Sequence, residues 1–360
     1  MKKIIISILI ILLVVSCSSG KKVRKIVHLR YDDLKAIRIV PITINQNGRT
    51  DQITSYLDYL IEISFKKLER FEYKDINNWA MMRDNPTQVV RINKLRREVA
   101  RVQALFQNNR MNKVITLAEK LLLHINSDFK YFEDLDEVYV LKAYLAAAEA
   151  LDDGLGNDDL FKKIAIMDPN YKFNNDIFGN EVIKLYNYAL KDVKRIRKGT
   201  ITITADSVPS KVYIDGKFVG VTPYEGKYQL GIHYVKVEAD GYAPYGKIVK
   251  VLPQENPVNV VYDPYTLNRQ INKLRKALRT STDKGDKIFP KEILNFLKHA
   301  PFDQLLLFKT KAVGSIVYIT LYVYDVPTYS LYKQKDFKIN LDNKNFKNEF
   351  LNSIEDILNY

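Results

Sequence analysis

The stretch "VYIDGKFVGVTPYEGKYQLGIHYVKVEADGY", residues 212–242, decides how the chain is divided. Val212, Ile214, Val235 and Val237 keep a period of two, the spacing that buries one face of a sheet. Asp215-Gly216 favours positive φ in a tight hairpin, and Thr222-Pro223 starts a second turn. Gly220 and Gly231 relieve backbone crowding, and Asp240-Gly241-Tyr242 turns the chain again. These eight turn residues, Asp215, Gly216, Gly220, Thr222, Pro223, Gly231, Gly241 and Tyr242, therefore have structural roles. His233 lies inside a strand with no second histidine or nucleophile beside it, so it reads as a packing or surface residue.

Extended to residues 199–263, from the strand Thr200–Thr204 through Gly220-Val221-Thr222-Pro223 to Gly241-Tyr242, the order of strands and turns resembles the PEGA domain. The naming tetrapeptide is replaced by Ser207-Val208-Pro209-Ser210. The resemblance implies a small all-β sandwich module of envelope proteins that binds or builds rather than catalyses. Tyrosines are dense here, and an aromatic ring offers a flat apolar face with a polar tip. Tyr224, Tyr228 and Tyr234 are the candidate glycan contacts.

The N-terminus "MKKIIISILIILLVVSCSSGKK" sets the compartment. Lys2 and Lys3 precede an apolar run from Ile4 to Val15, shorter than the roughly 20 residues of a spanning helix and suited to a signal peptide. Val14-Val15-Ser16-Cys17 resembles the lipobox of bacterial lipoproteins. That resemblance implies cleavage between Ser16 and Cys17 and lipidation of Cys17, leaving 1–16 as leader and 17–33 as anchor and tether. Ser18 is similar to residues that permit outer-membrane sorting, so the expected location is a lipid anchor at the periplasmic face of the outer membrane. Cys17 is the only cysteine in the 360 residues, which excludes disulfides within one chain and cysteine-type zinc sites.

The formal net charge is +14, and loss of Lys2 and Lys3 with the leader brings it to +12. Such an excess favours anionic partners in general. Export makes nucleic acid an unexpected one. Length and composition fit two or three globular domains.

Residues 34–44, "LKAIRIVPITI", read as a buried strand, and the apolar positions from Ile53 through Leu57, Leu60, Ile61, Phe65, Leu68 and Phe71 read as one helical face. The strand, loop and helix layout resembles the opening of small α/β domains in envelope assembly proteins of the curli-secretion or TolB amino-terminal kind. Residues 85–198 are helical, with candidate helices at 89–106, 111–125, 135–151, 158–167 and 180–196. Within them "LFKKIAIMDPNYKF" (160–173) resembles the end of a tetratricopeptide repeat: Phe161 takes the packing position and Asp168-Pro169 ends the helix, while Ile164 stands where the repeat prefers alanine. Such a TPR-like stack implies a surface for partner proteins.

After residue 263, Leu267, Ile271, Leu274 and Leu278 mark a linker helix within 264–284, with Lys273, Arg275, Lys276 and Arg279 on a solvated basic face. Residues 285–360 read as α+β. Strands at 302–311 and 315–325 are followed by a third, and Phe346, Phe350, Leu351, Ile354 and Leu358 stripe a closing helix. The open edge of that sheet can take the strand at 37–42, so 34–84 and 285–360 are expected to form one split α/β domain. The fold class is multidomain α+β: that split domain, a TPR-like helical region and the β-module.

No phosphate loop, dinucleotide fingerprint or nucleophile elbow occurs. The acids of "DDGLGNDDL" (152–160) lack calcium-loop spacing, and His28, His124, His233 and His299 are far apart. The expectation is a non-enzymatic lipoprotein without metal or cofactor. It acts as a scaffold or adaptor anchored in the membrane by its lipid and contacting envelope proteins. The alternative is a binder of peptidoglycan or another glycan through the aromatic face of the β-module.

Overall fold

The computed structural model describes residues 36–45, 51–68, 70–84, 86–132, 134–153, 158–206, 208–263, 269–284, 289, 291–298 and 300–358. The leader, Ser16, Cys17, the tether, His28, Leu267 and His299 lie outside the described residues. No helix among the described residues is long and apolar enough to cross a membrane.

The architecture is mixed α+β. Its first part is a five-stranded sheet assembled from both ends of the chain: β1 (Ile37–Asn45), β2 (Phe71–Tyr73), β10 (Gln304–Val313), β11 (Ile316–Asp325) and β12 (Ser330–Asn340), in the order β12-β11-β10-β1-β2. β1 runs parallel to both β10 and β2, whereas β10, β11 and β12 are antiparallel. Period two explains why β1 lies deep in this sheet. Ile39 points to one face with Leu306 and Phe308, and Val40, Ile42 and Ile44 point to the other with Leu305 and Leu307. A strand apolar on both sides needs cover on both sides.

The first face is covered by α1 (Gln52–Phe65) and α10 (Phe346–Leu358), through Leu57, Leu60, Ile61, Phe65, Phe350, Ile354 and Ile357. α1 starts where Asp51 Oδ1 accepts from the Thr54 amide at 2.8 Å and Thr54 Oγ1 accepts from the Asp51 amide at 2.7 Å, a reciprocal cap. The other face is covered by α2 (Ile76–Asp84), α8 (Arg269–Lys284) and α9 (Lys291–Leu297), through Ile76, Ala80, Ile271, Leu274, Leu278, Ile293 and Phe296.

Two expectations change here. The helical spacing read through Leu68 and Phe71 breaks after Phe65; Phe71 instead opens the edge strand β2, where its side chain packs against Phe65 at 5.7 Å. α8 is a layer of this domain rather than a linker, and its Arg275 is no solvated residue. Its side chain is 12 % exposed, donates to the Thr43 carbonyl at 2.7 Å and pairs with Asp240 at 2.7 Å. The buried stripe of α10 runs through Phe350, Ile354 and Ile357, at spacings of four and three residues, and the side chain of Leu358 lies outside the described residues.

The second part is helical: α3 (Pro86–Gln107), α4 (Met111–Asp128), α5 (Asp136–Asp153), α6 (Asp158–Met167) and α7 (Asn175–Val193), with a 3₁₀ turn at Phe129–Tyr131. α5 is the central member. Ala143, Ala146, Ala147 and Ala148 are fully buried, which lets α4 and α6 approach it closely. α7 is interrupted at Gly179 (φ 74°), so its regular portion begins at Asn180.

The third part is a sandwich. One sheet has the order β6-β3-β9, from β3 (Lys198–Ala205), β6 (Tyr224–Gln229) and β9 (Glu255–Val260); the other has β5-β4-β7-β8, from β4 (Lys211–Ile214), β5 (Lys217–Val221), β7 (Gly231–Glu238) and β8 (Tyr245–Val251). Ten residues, all Val or Ile, form the buried core between them, among them Val212, Ile214, Val235 and Val237. Asp215 and Gly216 both have positive φ (53° and 80°) in the β4–β5 turn.

Candidate functional site

The site begins with the strands whose alternation was read first. Val212 and Ile214 fill the sandwich, so Lys211 and Tyr213 must project from the outer face of the same sheet. On β7 the same rule turns Lys236 and Glu238 outward. Antiparallel register then sets Lys211 opposite Glu238 and Tyr213 opposite Lys236. This outer face is itself buried: the side chains of Lys211 and Lys236 are 11 % and 9 % exposed.

Both other parts cover it. From α1, Glu62 lies 3.6 Å from Lys211 and accepts from the Tyr213 hydroxyl at 3.3 Å. From the turn after α4, the Phe132 carbonyl accepts from Lys236 at 2.9 Å. Lys236 also pairs with Glu238 at 2.9 Å and sits 4.9 Å from the Tyr213 ring centre. Beside the sheet, the end of β2, the turn after it and the first turn of α2 supply Tyr73, Asp75, Asn77 and Asn78. Asn77 Nδ2 donates to Asp240 at 3.2 Å and its Oδ1 accepts from the Gly241 amide at 3.1 Å.

Together these groups line a cleft of about 60 Å³, room for about four ordered waters when each needs about 10–15 Å³. Its electrostatics are mixed. Burial pushes the Asp75 carboxyl up to about 6, against the pull of Lys211. Burial also resists the charge on Glu238, but Lys236 and Lys211 outweigh it and hold that carboxyl at about 2. Behind the cleft, burial and the nearby Asp240 push Asp58 up to about 7, with Arg275 and Lys211 opposing. Sequence reading missed this set, because Lys and Glu alternating with Val read as the wet face of a strand.

The turn residues have definite tasks. Thr222 accepts from the Ser210 amide at 3.0 Å through its hydroxyl and returns its own amide to the Ser210 carbonyl at 2.9 Å, tying the end of β5 to the start of β4. A Cβ at Gly220 would meet the Tyr224 ring at 3.0 Å, and one at Gly231 would meet Ile166 at 3.0 Å. The peptide before Pro223 is cis, Gly241 has φ 76°, and the Tyr242 ring packs against Tyr262 at 4.9 Å. Asp215 does more than turn the chain. Its buried carboxylate meets His233 Nδ1 at 2.6 Å and accepts from the Tyr234 amide at 2.9 Å, and its carbonyl accepts from the Tyr139 hydroxyl of α5 at 3.1 Å. His233 is thus a packing residue held by Asp215 and by the Gln229 carbonyl, 2.8 Å from Nε2.

The three candidate glycan tyrosines do not share a face. Tyr224 and Tyr228 lie on β6 with their hydroxyls 2.5 Å apart, leaning over Gly226. Tyr234 lies on β7 in the other sheet and is 2 % exposed. Its ring packs edge-on against Phe129 at 5.1 Å and its hydroxyl donates to Asn126 at 2.7 Å, both of the helical part. The correction follows from the period of two, which turns Tyr234 toward the helices. Among the described residues no three His, Cys, Asp or Glu side chains gather as a metal-binding group, and His124 stands exposed on α4.

No curated protein matches the chain. The module around which the cleft is built has a known family: residues 198–263 match the model of the PEGA domain and constitute such a domain.

Proposed function

We propose that the protein is a non-enzymatic scaffold of the bacterial cell envelope, anchored through a lipid on Cys17 and holding partner proteins against its helical part. The observation that carries this reading is the burial of the outer face of the β5-β4-β7-β8 sheet of the PEGA domain under two other parts. Tyr59 of α1 stacks on Phe218 of β5 at 3.5 Å between ring centres, Asp240 pairs with Arg275 of α8, and Tyr234 and Asp215 grip α4 and α5. A module that spends the outer face of one sheet inside the chain, while the other sheet keeps Thr204, Glu225 and Glu255 exposed, serves as a rigid joint. Joining favours a scaffold over a free sugar-binding module. The helical part, read as a TPR-like stack, keeps apolar side chains outside, with Leu123 74 % and Tyr188 65 % exposed.

The test is affinity capture of the full-length chain from detergent-solubilised envelopes after brief crosslinking, beside sedimentation of the same protein with peptidoglycan. Defined envelope proteins captured by the wild type and lost when Leu123 or Tyr188 becomes Glu support the scaffold. Sedimentation with peptidoglycan in place of protein capture overturns it.

A further inference from the structure

The charges of the cleft can be matched one by one. Lys66 pairs with Glu62 at 2.9 Å, Lys211 lies between Glu62 and Glu238, Lys236 holds Glu238 and the Phe132 carbonyl, and Asp240 holds Arg275 and Asn77. Three groups remain. Asp75 accepts the Asn78 amide on Oδ1 at 2.6 Å, and its Oδ2 takes no hydrogen bond among the described residues. Asn78 Oδ1 is buried without any partner. Lys130 lines the same cleft, and its ammonium has no carboxylate among the described residues and rests 5.2 Å from the Tyr131 ring centre.

An unpartnered buried amide oxygen costs about 1–3 kcal/mol, so a fold keeps one where something else satisfies it. The two acceptors sit together where β2 leads into α2 and the lone cation belongs to the turn after α4, with Tyr73, Met81 and Tyr242 among the groups lining the same cleft. We propose that this cleft binds a small zwitterion, a free amino acid with a short side chain, whose ammonium donates to Asp75 and Asn78 and whose carboxylate meets Lys130. A neutral sugar would leave both charges unmatched. A simple anion would face Asp75, Glu62 and Glu238, and a metal cation would face the lysines. The inference stands apart from the scaffold reading, since a scaffold needs no ligand and a binder of amino acids needs no partner protein.

The experiment is calorimetric titration of the full-length protein in detergent with glycine, L-alanine and L-serine, amino acids small enough for a cleft of about 60 Å³. N-acetyl-L-alanine lacks the ammonium, L-alaninamide lacks the carboxylate, and N-acetylglucosamine is the uncharged polyol. Saturable binding of at least one free amino acid is expected, with each blocked alanine derivative at least about 10-fold weaker, the loss of one charged hydrogen bond. Asn78→Ala and Lys130→Ala should each weaken binding by about 10-fold or more. Neither side chain makes a hydrogen bond within the described residues, so thermal midpoints should stay near the wild-type value. The blocked ligands carry the test even where a variant fails to fold. No saturable binding of any of the three up to about 10 mM, equal binding of the blocked forms, or equal binding of N-acetylglucosamine overturns the proposal.

Discussion

Arg38 grips Asp303 across 265 residues of sequence: its amide and Nε donate to Oδ2 at 2.9 and 3.1 Å, and one terminal nitrogen donates to Oδ1 at 2.9 Å. The Asp303 amide answers by donating to the Arg38 carbonyl at 2.8 Å. The pair sits where β1 meets the start of β10, so it fixes the register of the parallel pairing that joins the two ends of the chain.

Asp303→Ala should cost about 1 kcal/mol in urea unfolding, and Arg38→Ala about the same. The pair is 42 % and 35 % exposed, which limits its worth to the upper end of the range for surface ion pairs despite its forked geometry. A double-mutant cycle checks this. A coupling energy near zero would show that strand packing alone sets the register.

Tyr234 and the Tyr224–Tyr228 pair should behave oppositely. Tyr234→Ala empties a site packed against Phe129 and leaves Asn126 unbonded, so it should cost about 3–5 kcal/mol, as large-to-small changes of buried aromatic residues do. Tyr234→Phe should cost about 1 kcal/mol for the hydroxyl alone. Tyr228→Phe, which loses only the half-buried contact with Tyr224, should cost less than either. Thermal unfolding of the three variants decides the order.

Legibility followed the link between chemistry and burial. The strands at 37–45 and 304–325 were readable because apolar residues recur at every second position or fill both faces. Helices α3 to α7 were readable from their spacing and from the Asn, Asp, Gly and Pro clusters between them. β2 was hidden because it is three residues long and follows a helix whose apolar phase Phe71 continues. The cleft was hidden for a different reason. Lys211, Lys236 and Glu238 lie on a period of two that reads equally as solvent, and only the arrival of α1 and the 3₁₀ turn over that face, set by distant sequence, buries them. Asp215 looked like a turn residue and is one, but its carboxylate reaches His233 only after β4 and β7 are paired.

The Asp215–His233 pair should make stability depend on pH above about 6.5. The Gln229 carbonyl can only accept, so Nε2 carries a proton, and a second proton lies between Nδ1 and Asp215 Oδ2. Burial opposes the charged ring, yet the Asp215 bond and charge raise the His233 pKa above the ordinary 6.5. Burial raises the carboxyl as well, so the pair as a whole holds its shared proton more firmly. A raised folded-state pKa stabilises fully below the unfolded value and loses that contribution as pH rises through the folded one. The thermal midpoint should therefore fall as pH climbs past about 6.5. His233→Gln should be less stable near neutrality and lack that fall, and an unchanged slope in the variant would refute the assignment.

Glu238 and Asp75 should pull the acid side of the same curve in opposite directions. Glu238 is held at about 2, below its ordinary 4.5, so it stabilises the fold above 4.5 and that contribution is lost as pH falls toward 2. Asp75 is raised to about 6 from 3.8, so its ionisation costs stability, a cost absent below 3.8 that grows as pH rises through 6. Glu238→Gln should lose on the order of 2 kcal/mol at pH 6, discounted for a side chain 29 % exposed, because Lys211 and Lys236 remain buried with one carboxylate fewer. At pH 2–3 the variant and the wild type should converge. Asp75→Asn should show the mirror image, matching the wild type below pH 4 and exceeding it above pH 6. Urea titrations from pH 3 to 8 test both signs at once, and a Glu238→Gln deficit that persisted undiminished at pH 3 would trace it to lost packing instead of lost charge.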